Sequence, residues 1–158
     1  KLGKSIDVML RIKPGIHADT HYYITTGHED SKFGFIIKED TAKKAVKSVV
    51  EKAGLNFKGL HMHIGSQIFS TTGYEKSIEI MADFIKELYE EGINVEEFDI
   101  GGGLGVVYTE IDDPMPVRDF IKLLTDKVKT EFQRTGMVLP KLMVEPGRSI
   151  VGEAGTTV

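Results

Sequence analysis

Cysteine and tryptophan are absent from the 158 residues, and proline occurs only five times. Without cysteine there is neither a disulfide framework nor a thiolate metal site. No apolar run comes near the roughly 20 residues that cross a bilayer, and the sequence as given does not open on the basic and then apolar stretches of a secretory leader. Positive charge is not in excess either. Lysine and arginine total 20 against 24 aspartate and glutamate, a net charge of −4. That argues against nucleic acid as the main partner, because phosphate-backbone binding needs a basic surface. What is present is the balance of a soluble globular protein, 41% hydrophobic and 28% charged, with enough chain for one domain and a real core. The expected setting is therefore the cytoplasm, without a membrane partner. Glycine is plentiful, at 17 residues, and much of it falls where strands pass into loops or helices stop.

Three segments carry a helical stripe. In "DTAKKAVKSVVEKAG" the residues Ala42, Ala45, Val46, Val49, Val50 and Ala53 recur at i, i+3, i+4, i+7, i+8 and i+11. Asp40 or Thr41 is placed to cap this helix and Gly54 to end it. "GYEKSIEIMADFIKELYEEG" aligns Tyr74, Ile78, Met81, Ile85 and Leu88, and stops at Gly92. "PVRDFIKLLTDKVKTEFQRTG" aligns Val117, Phe120, Ile121, Leu124, Val128 and Phe132, with Pro116 suited to its first turn and Gly136 to its end. Four short strand-like runs lie around them: "VMLRI" (8–12), "GLHMHI" (59–64), "EFDI" (97–100) and "KLMV" (141–144). Strands alternating with helices predict parallel βα units. A doubly wound sheet and a (β/α)8 TIM-type barrel both fit that alternation. The barrel is favoured because unusual residues follow every strand: Arg11 to Gly15, His63 to Gln67, Gly101 to Gly103 and Glu145 to Arg148. A barrel takes about 250 residues, so the expectation is a single partial domain over 1–158, about half of a barrel and its C-terminal part.

The chemistry is expected at those strand ends. In "GLHMHIGSQ" a period of two puts His61 and His63 on one face. Paired histidines of this kind ligate metal in some barrel hydrolases, but no further His or Asp cluster accompanies them, and they are read instead as core or stacking groups, with no metal expected. His17, His21 and His28 crowd one loop and are read as solvated or structural. "FDIGGGLG" places Gly101, Gly102 and Gly103 directly after a strand, where glycines let a phosphate or another backbone come close. It is neither a Walker loop nor a Rossmann fingerprint. Ser66 adds a hydroxyl to such a cup; its setting is not a nucleophile elbow. Finally, "LMVEPGR" ends an apolar strand in Glu145 and delivers Arg148 three residues later. A plain surface ion pair is one reading. The other is a phosphate-bearing nitrogen heterocycle lying across the barrel mouth. There Glu145 keeps the ring nitrogen protonated, His63 stacks on the ring, and Arg148 meets phosphate or a substrate carboxylate.

"LRIKPGIHADTHYYITTGHEDSKFG", "GLHMHIGSQI", "FDIGGGLGVVY" and "VEPGRSIVGEAG" together resemble the diaminopimelate decarboxylases, fold-type III pyridoxal-phosphate enzymes with an alanine racemase-like barrel, over nearly the whole chain and in order. The resemblance implies pyridoxal 5′-phosphate as cofactor, with His63 stacked on it and Ser66, Gly101, Gly102, Gly103, Gly147 and Arg148 about its phosphate. It implies Glu145 at the pyridine nitrogen, Arg148 also near substrate, and Arg11 either orienting groups near the ring or lining the barrel. The implied reaction turns meso-diaminopimelate into L-lysine and carbon dioxide. A homodimer with shared active sites is implied for the parent enzyme. The family's imine-forming lysine belongs to an earlier strand and its catalytic cysteine to a later β-domain. Lys13 does not match the lysine motif, so this stretch by itself is expected to be inactive. Alternatives within the same superfamily are a decarboxylase of another basic amino acid or polyamine precursor and a non-catalytic regulatory homologue.

Overall fold

A computed structural model describes residues 3–15, 33–152 and 154–155. The histidines at 17, 21 and 28 lie outside the described residues. Strands β1 (Ile6–Lys13), β2 (Phe35–Ile36), β3 (Leu55–His61), β4 (Glu97–Asp99) and β5 (Lys141–Met143) form one sheet in the order β2-β1-β3-β4-β5, every pair parallel. Helices α1 (Thr41–Val50), α2 (Thr72–Glu90) and α3 (Val117–Thr135) make the connections, and a short α4 (Gly147–Val151) follows β5. From β1 through β3 and β4 to β5 the sheet advances one way only. The two-residue β2 lies on the other side of β1, an order a doubly wound sheet also shows, but α1, α2 and α3 all pack into one core with β1, β3 and β4, as helices do on the outer face of a barrel wall. The fold is thus the α/β arrangement of part of a (β/α)8 barrel, as expected.

The helical stripes are buried over most of their length, while Val50 at the end of α1 and Val117 at the start of α3 are exposed. Ala42 and Val46 of α1, Tyr74, Ile78, Met81, Ile85 and Leu88 of α2, and Phe120, Leu124, Val128 and Phe132 of α3 meet Ile12, Leu60, Met62, Phe98 and Ile100 from the sheet in one core. Aromatic edges fix the packing: Tyr74 meets Phe120 edge-on at 5.6 Å between ring centres, and Phe98 meets Phe132 at 6.3 Å. Polar groups are buried as well: Ser77 of α2, Asp99 of β4 and Glu131 of α3. Glu131 on α3 is buried and held by Lys127 Nζ and Arg134 Nε, each at 2.5 Å.

Four details differ from the sequence expectation. Two residues, Phe35 and Ile36, pair with Ile12 and Lys13 as the edge strand β2; so short a strand has no legible alternation. β3 begins at Leu55, because a bulge opposite Val8 and Met9 absorbs the charged Lys58 that interrupts its apolar pattern. It ends at His61, so His63 stands beyond the regular strand. Helix α1 stops at Val50, and Gly54 (φ +87°) instead turns the chain into β3. No side chain caps its start: Asp40 itself has left-handed backbone (φ 57°) after a 3-10 turn over Lys38–Asp40. Gly136 does end α3 in left-handed conformation, donating its N–H to the carbonyls of Gln133 and Phe132, and Pro116 sits one position before the helix.

Candidate active site

The four strand ends meet at one mouth, and the glycines explain how. Gly101 and Gly103 have positive φ (+77° and +101°). A Cβ on Gly101 would stand 2.3 Å from the Met62 carbonyl oxygen, one on Gly102 1.9 Å from that of Glu145, and one on Gly103 2.0 Å from that of Gly65. All three glycines are therefore demanded by backbone approach: the segment after β4 is clamped between the segments after β3 and β5. A single turn glycine would not allow it. Hydrogen bonds lock the clamp. Gly101 N–H donates to Asp99 Oδ1 (2.8 Å), Glu145 N–H to the Gly101 carbonyl (2.9 Å), and Ile68 N–H to the Gly103 carbonyl (2.9 Å). The Tyr74 hydroxyl, rising from α2, donates to the Gly102 carbonyl. Burial pushes that phenol up to about 12, so it remains a donor across the whole neutral range.

Several backbone donors near the mouth are already used. Gly102 N–H donates to His63 Nδ1 (3.3 Å) and Gly147 N–H to the Glu145 carbonyl (2.9 Å). Gly103 N–H and the exposed Ser66 hydroxyl have no protein partner among the described residues. They are neighbours, since a Cβ on Gly103 would lie 3.4 Å from Ser66 Cα. Arg148 reaches the same place: its Nη1 donates to Gln67 Oε1 (3.1 Å), and its guanidinium lies 5.6 Å from the centre of the Tyr108 ring. Gln67 takes a left-handed backbone (φ 58°), and its side chain binds both the carbonyl and the N–H of Val106. Residues after β3, β4 and β5 are thereby tied together, and among them stand a hydroxyl, an amide and a guanidinium, the groups that bind an anion. No side-chain hydrogen bond or ion pair joins Glu145 to Arg148 among the described residues. The surface ion pair is not what the structure makes of "EPGR".

Glu145 turns to the histidines. Its Oε2 lies 3.1 Å from His61 Nε2 and 4.0 Å from His63 Nδ1. A carboxylate only accepts, so His61 Nε2 carries the hydrogen. The two imidazoles lie nearly parallel, 26° between planes and 6.4 Å between centres. These three side chains bring donor atoms within 4.8 Å of one another. His63 Nδ1 and His61 Nε2 are both committed to hydrogen bonds, so the cluster is organised as a network around the carboxylate. Arg11, opposite His61 in the β1–β3 register, places its guanidinium 5.1 Å from the centre of the Phe33 ring. Lys13 lies at the other side of β1, paired with β2. His61, which the sequence offers as a metal ligand or a core or stacking group, serves here as a hydrogen-bond donor to Glu145; the i, i+2 spacing with His63 was its one signal.

A carboxylate beside two stacked imidazoles, with a hydroxyl, an unbonded amide and a guanidinium at the same carboxyl ends of parallel strands, suits a phosphate-bearing heterocycle. The sequence profile described as "Pyridoxal-dependent decarboxylase, pyridoxal binding domain" matches residues 1–152. The chain belongs to this family. Among curated relatives it is similar to diaminopimelate decarboxylase of Staphylococcus aureus (strain COL), 45% identical over 154 residues, covering 98% of this chain and 36% of the relative. The Bacillus subtilis (strain 168) diaminopimelate decarboxylase is 42% identical over 157 residues, covering 99% and 36%. Among solved structures, diaminopimelate decarboxylase from M. jannaschii superposes with a TM-score of 0.83 in its co-complex with L-lysine, at 34% identity, over 94% of this chain and 34% of that one. The chain thus spans about a third of the length of the curated relatives it matches. For a pyridoxal-dependent decarboxylase the alternating βα units are those the resemblance implied. No helix of the described residues is long and apolar enough to cross a membrane.

Proposed function

We propose that the whole protein is a pyridoxal-phosphate decarboxylase that converts meso-diaminopimelate, at its D-configured carbon, to L-lysine and carbon dioxide. The observation that carries this is the Glu145 carboxylate. It ends an apolar strand, faces His61 and His63 rather than Arg148, and lies at the same sheet edge as Gly103, Ser66 and Arg148. Similarity to diaminopimelate decarboxylases at 42–45% identity supports the choice of substrate.

When bound, pyridoxal phosphate supplies a sink for the electron pair left as the carbon–carboxylate bond breaks. Glu145 would hold a proton on the ring nitrogen, which makes that sink effective. Its Oε1 makes no contact among the described residues and is free for this role. His63 would lie against the ring face. Ser66 Oγ–H, Gly103 N–H and the Arg148 guanidinium would bind phosphate by charge-assisted hydrogen bonds. Gly101, Gly102 and Gly147 shape the cup through their backbones, and Arg148 is also the candidate for a substrate carboxylate. Lys13 is given no role in the chemistry. The whole protein is further proposed to act as a homodimer in the cytoplasm, with this chain as the C-terminal half of its cofactor-binding barrel.

The test is product analysis. The whole protein, supplied with pyridoxal phosphate, is expected to release lysine from meso-diaminopimelate and nothing from ornithine or arginine. Turnover of ornithine or arginine in its place would refute the substrate assignment.

A further inference from the structure

We infer that His61 is a positioning residue that holds Glu145 in the orientation its task at the cofactor ring requires; the inference rests on the reading of this mouth as the pyridoxal-phosphate site. Glu145 stands on the segment after β5 with its side chain 53% exposed. A carboxylate so placed has three torsions to fix and solvent to compete with, and fixing a glutamate side chain costs on the order of 1–2 kcal/mol of rotamer entropy. Among the described residues the only hydrogen bond its carboxylate receives is from His61 Nε2. His61 is a sound anchor. It belongs to the regular part of β3, flanked by Arg11 of β1 and Asp99 of β4 in register, and its side chain is only 18% exposed.

The two imidazoles divide the work by their edges. His63 Nδ1 accepts from Gly102 N–H and stands 4.0 Å from the carboxylate, too far for a hydrogen bond, so His63 does not hold Glu145. His61, nearly parallel to it, directs its Nε2 edge at Oε2, while Oε1 accepts no hydrogen bond among the described residues. The other charged groups at this edge are engaged elsewhere: Asp99 accepts from Gly101 N–H, Arg148 donates to Gln67, and Arg11 lies over Phe33. None of them replaces the His61 contact.

The experiment uses the whole protein, freed of cofactor and reconstituted with pyridoxal phosphate carrying 15N in its ring. In the wild-type protein the ring-nitrogen resonance is expected in the protonated range. His61→Ala is expected to move it toward neutral pyridine at the same pH and to weaken cofactor binding about tenfold, equivalent to about 1.4 kcal/mol. His61→Gln, whose amide nitrogen reaches the position of Nε2, is expected to restore both. Should His61→Ala fail to fold, His61→Asn decides in its place, because its amide stops at the position of Nδ1 and cannot reach Glu145. Wild-type resonance and affinity in the folded Ala or Asn variant would overturn the inference while leaving the cofactor reading intact. A wild-type protein that binds no pyridoxal phosphate would remove the cofactor reading and this inference with it.

Discussion

Tyr74→Phe removes one oxygen from the core and tests whether α2 truly supports the glycine segment. The hydroxyl is buried and donates to the Gly102 carbonyl. Its loss leaves a buried acceptor unpaired, a penalty of about 1–3 kcal/mol. The pH dependence gives a sharper signature. Burial raises the Tyr74 phenol from 10.0 to about 12. A group whose folded value is raised contributes stability that is intact below its unfolded value, here near 10, and lost as pH climbs toward 12. At about pH 11 the unfolded phenol is mostly ionised and the folded one mostly neutral, so the wild-type protein has lost about 1.4 kcal/mol that the Phe variant never had. Urea unfolding of both proteins at about pH 8 and about pH 11 reads this directly. The stability gap between them should narrow by about 1.4 kcal/mol at the higher pH. A gap that is the same at both pH values would refute the buried, hydrogen-bonded phenol.

Three further outcomes follow from the same geometry. Gly102→Ala places a methyl group 1.9 Å from the Glu145 carbonyl oxygen and must part the segments after β4 and β5; it should cost about 2 kcal/mol or more in urea unfolding and weaken pyridoxal-phosphate binding in a fluorescence titration. Glu131→Gln should destabilise the protein by about 1–3 kcal/mol at neutral pH. Burial alone would raise the Glu131 carboxyl, but the bonds from Lys127 and Arg134 outweigh it and hold it below its usual 4.5. The difference from wild type should therefore close as pH falls below about 4.5, checked by thermal unfolding across that range. Arg148→Lys keeps the charge but loses the planar fork, and should raise the pyridoxal-phosphate dissociation constant about tenfold by the same titration.

How much of this was legible beforehand depends on how local its cause is. Helices α2 and α3 were plain because Tyr74, Ile78, Met81, Phe120, Leu124 and Phe132 repeat at the spacing of one helix face, and that face alone is buried. The convergence of strand ends was legible because Gly101 to Gly103, Ser66 and Glu145 each break the strand pattern at the same edge. The strand β2 was not, since two residues cannot display a period. Neither was the cause of the three glycines. Their need arises from the carbonyls of Met62, Gly65 and Glu145, which are distant in sequence and come near only through the sheet register. The role of His61 was hidden for the same reason. Its partner lies 84 residues away, and the HxH spacing by itself suits a metal, a stack or a hydrogen bond equally well.

The central claim is that the ends of β3, β4 and β5 build one pyridoxal-phosphate site. Amide and imidazole NMR resonances of the cofactor-free whole protein, followed through a titration with pyridoxal phosphate, test it most directly. The account predicts saturable shifts at Ser66, Gly103, Arg148 and the His63 ring, with the outer surfaces of α1 and α3 unmoved. Shifts confined to other parts of the protein, or none that saturate, would contradict it.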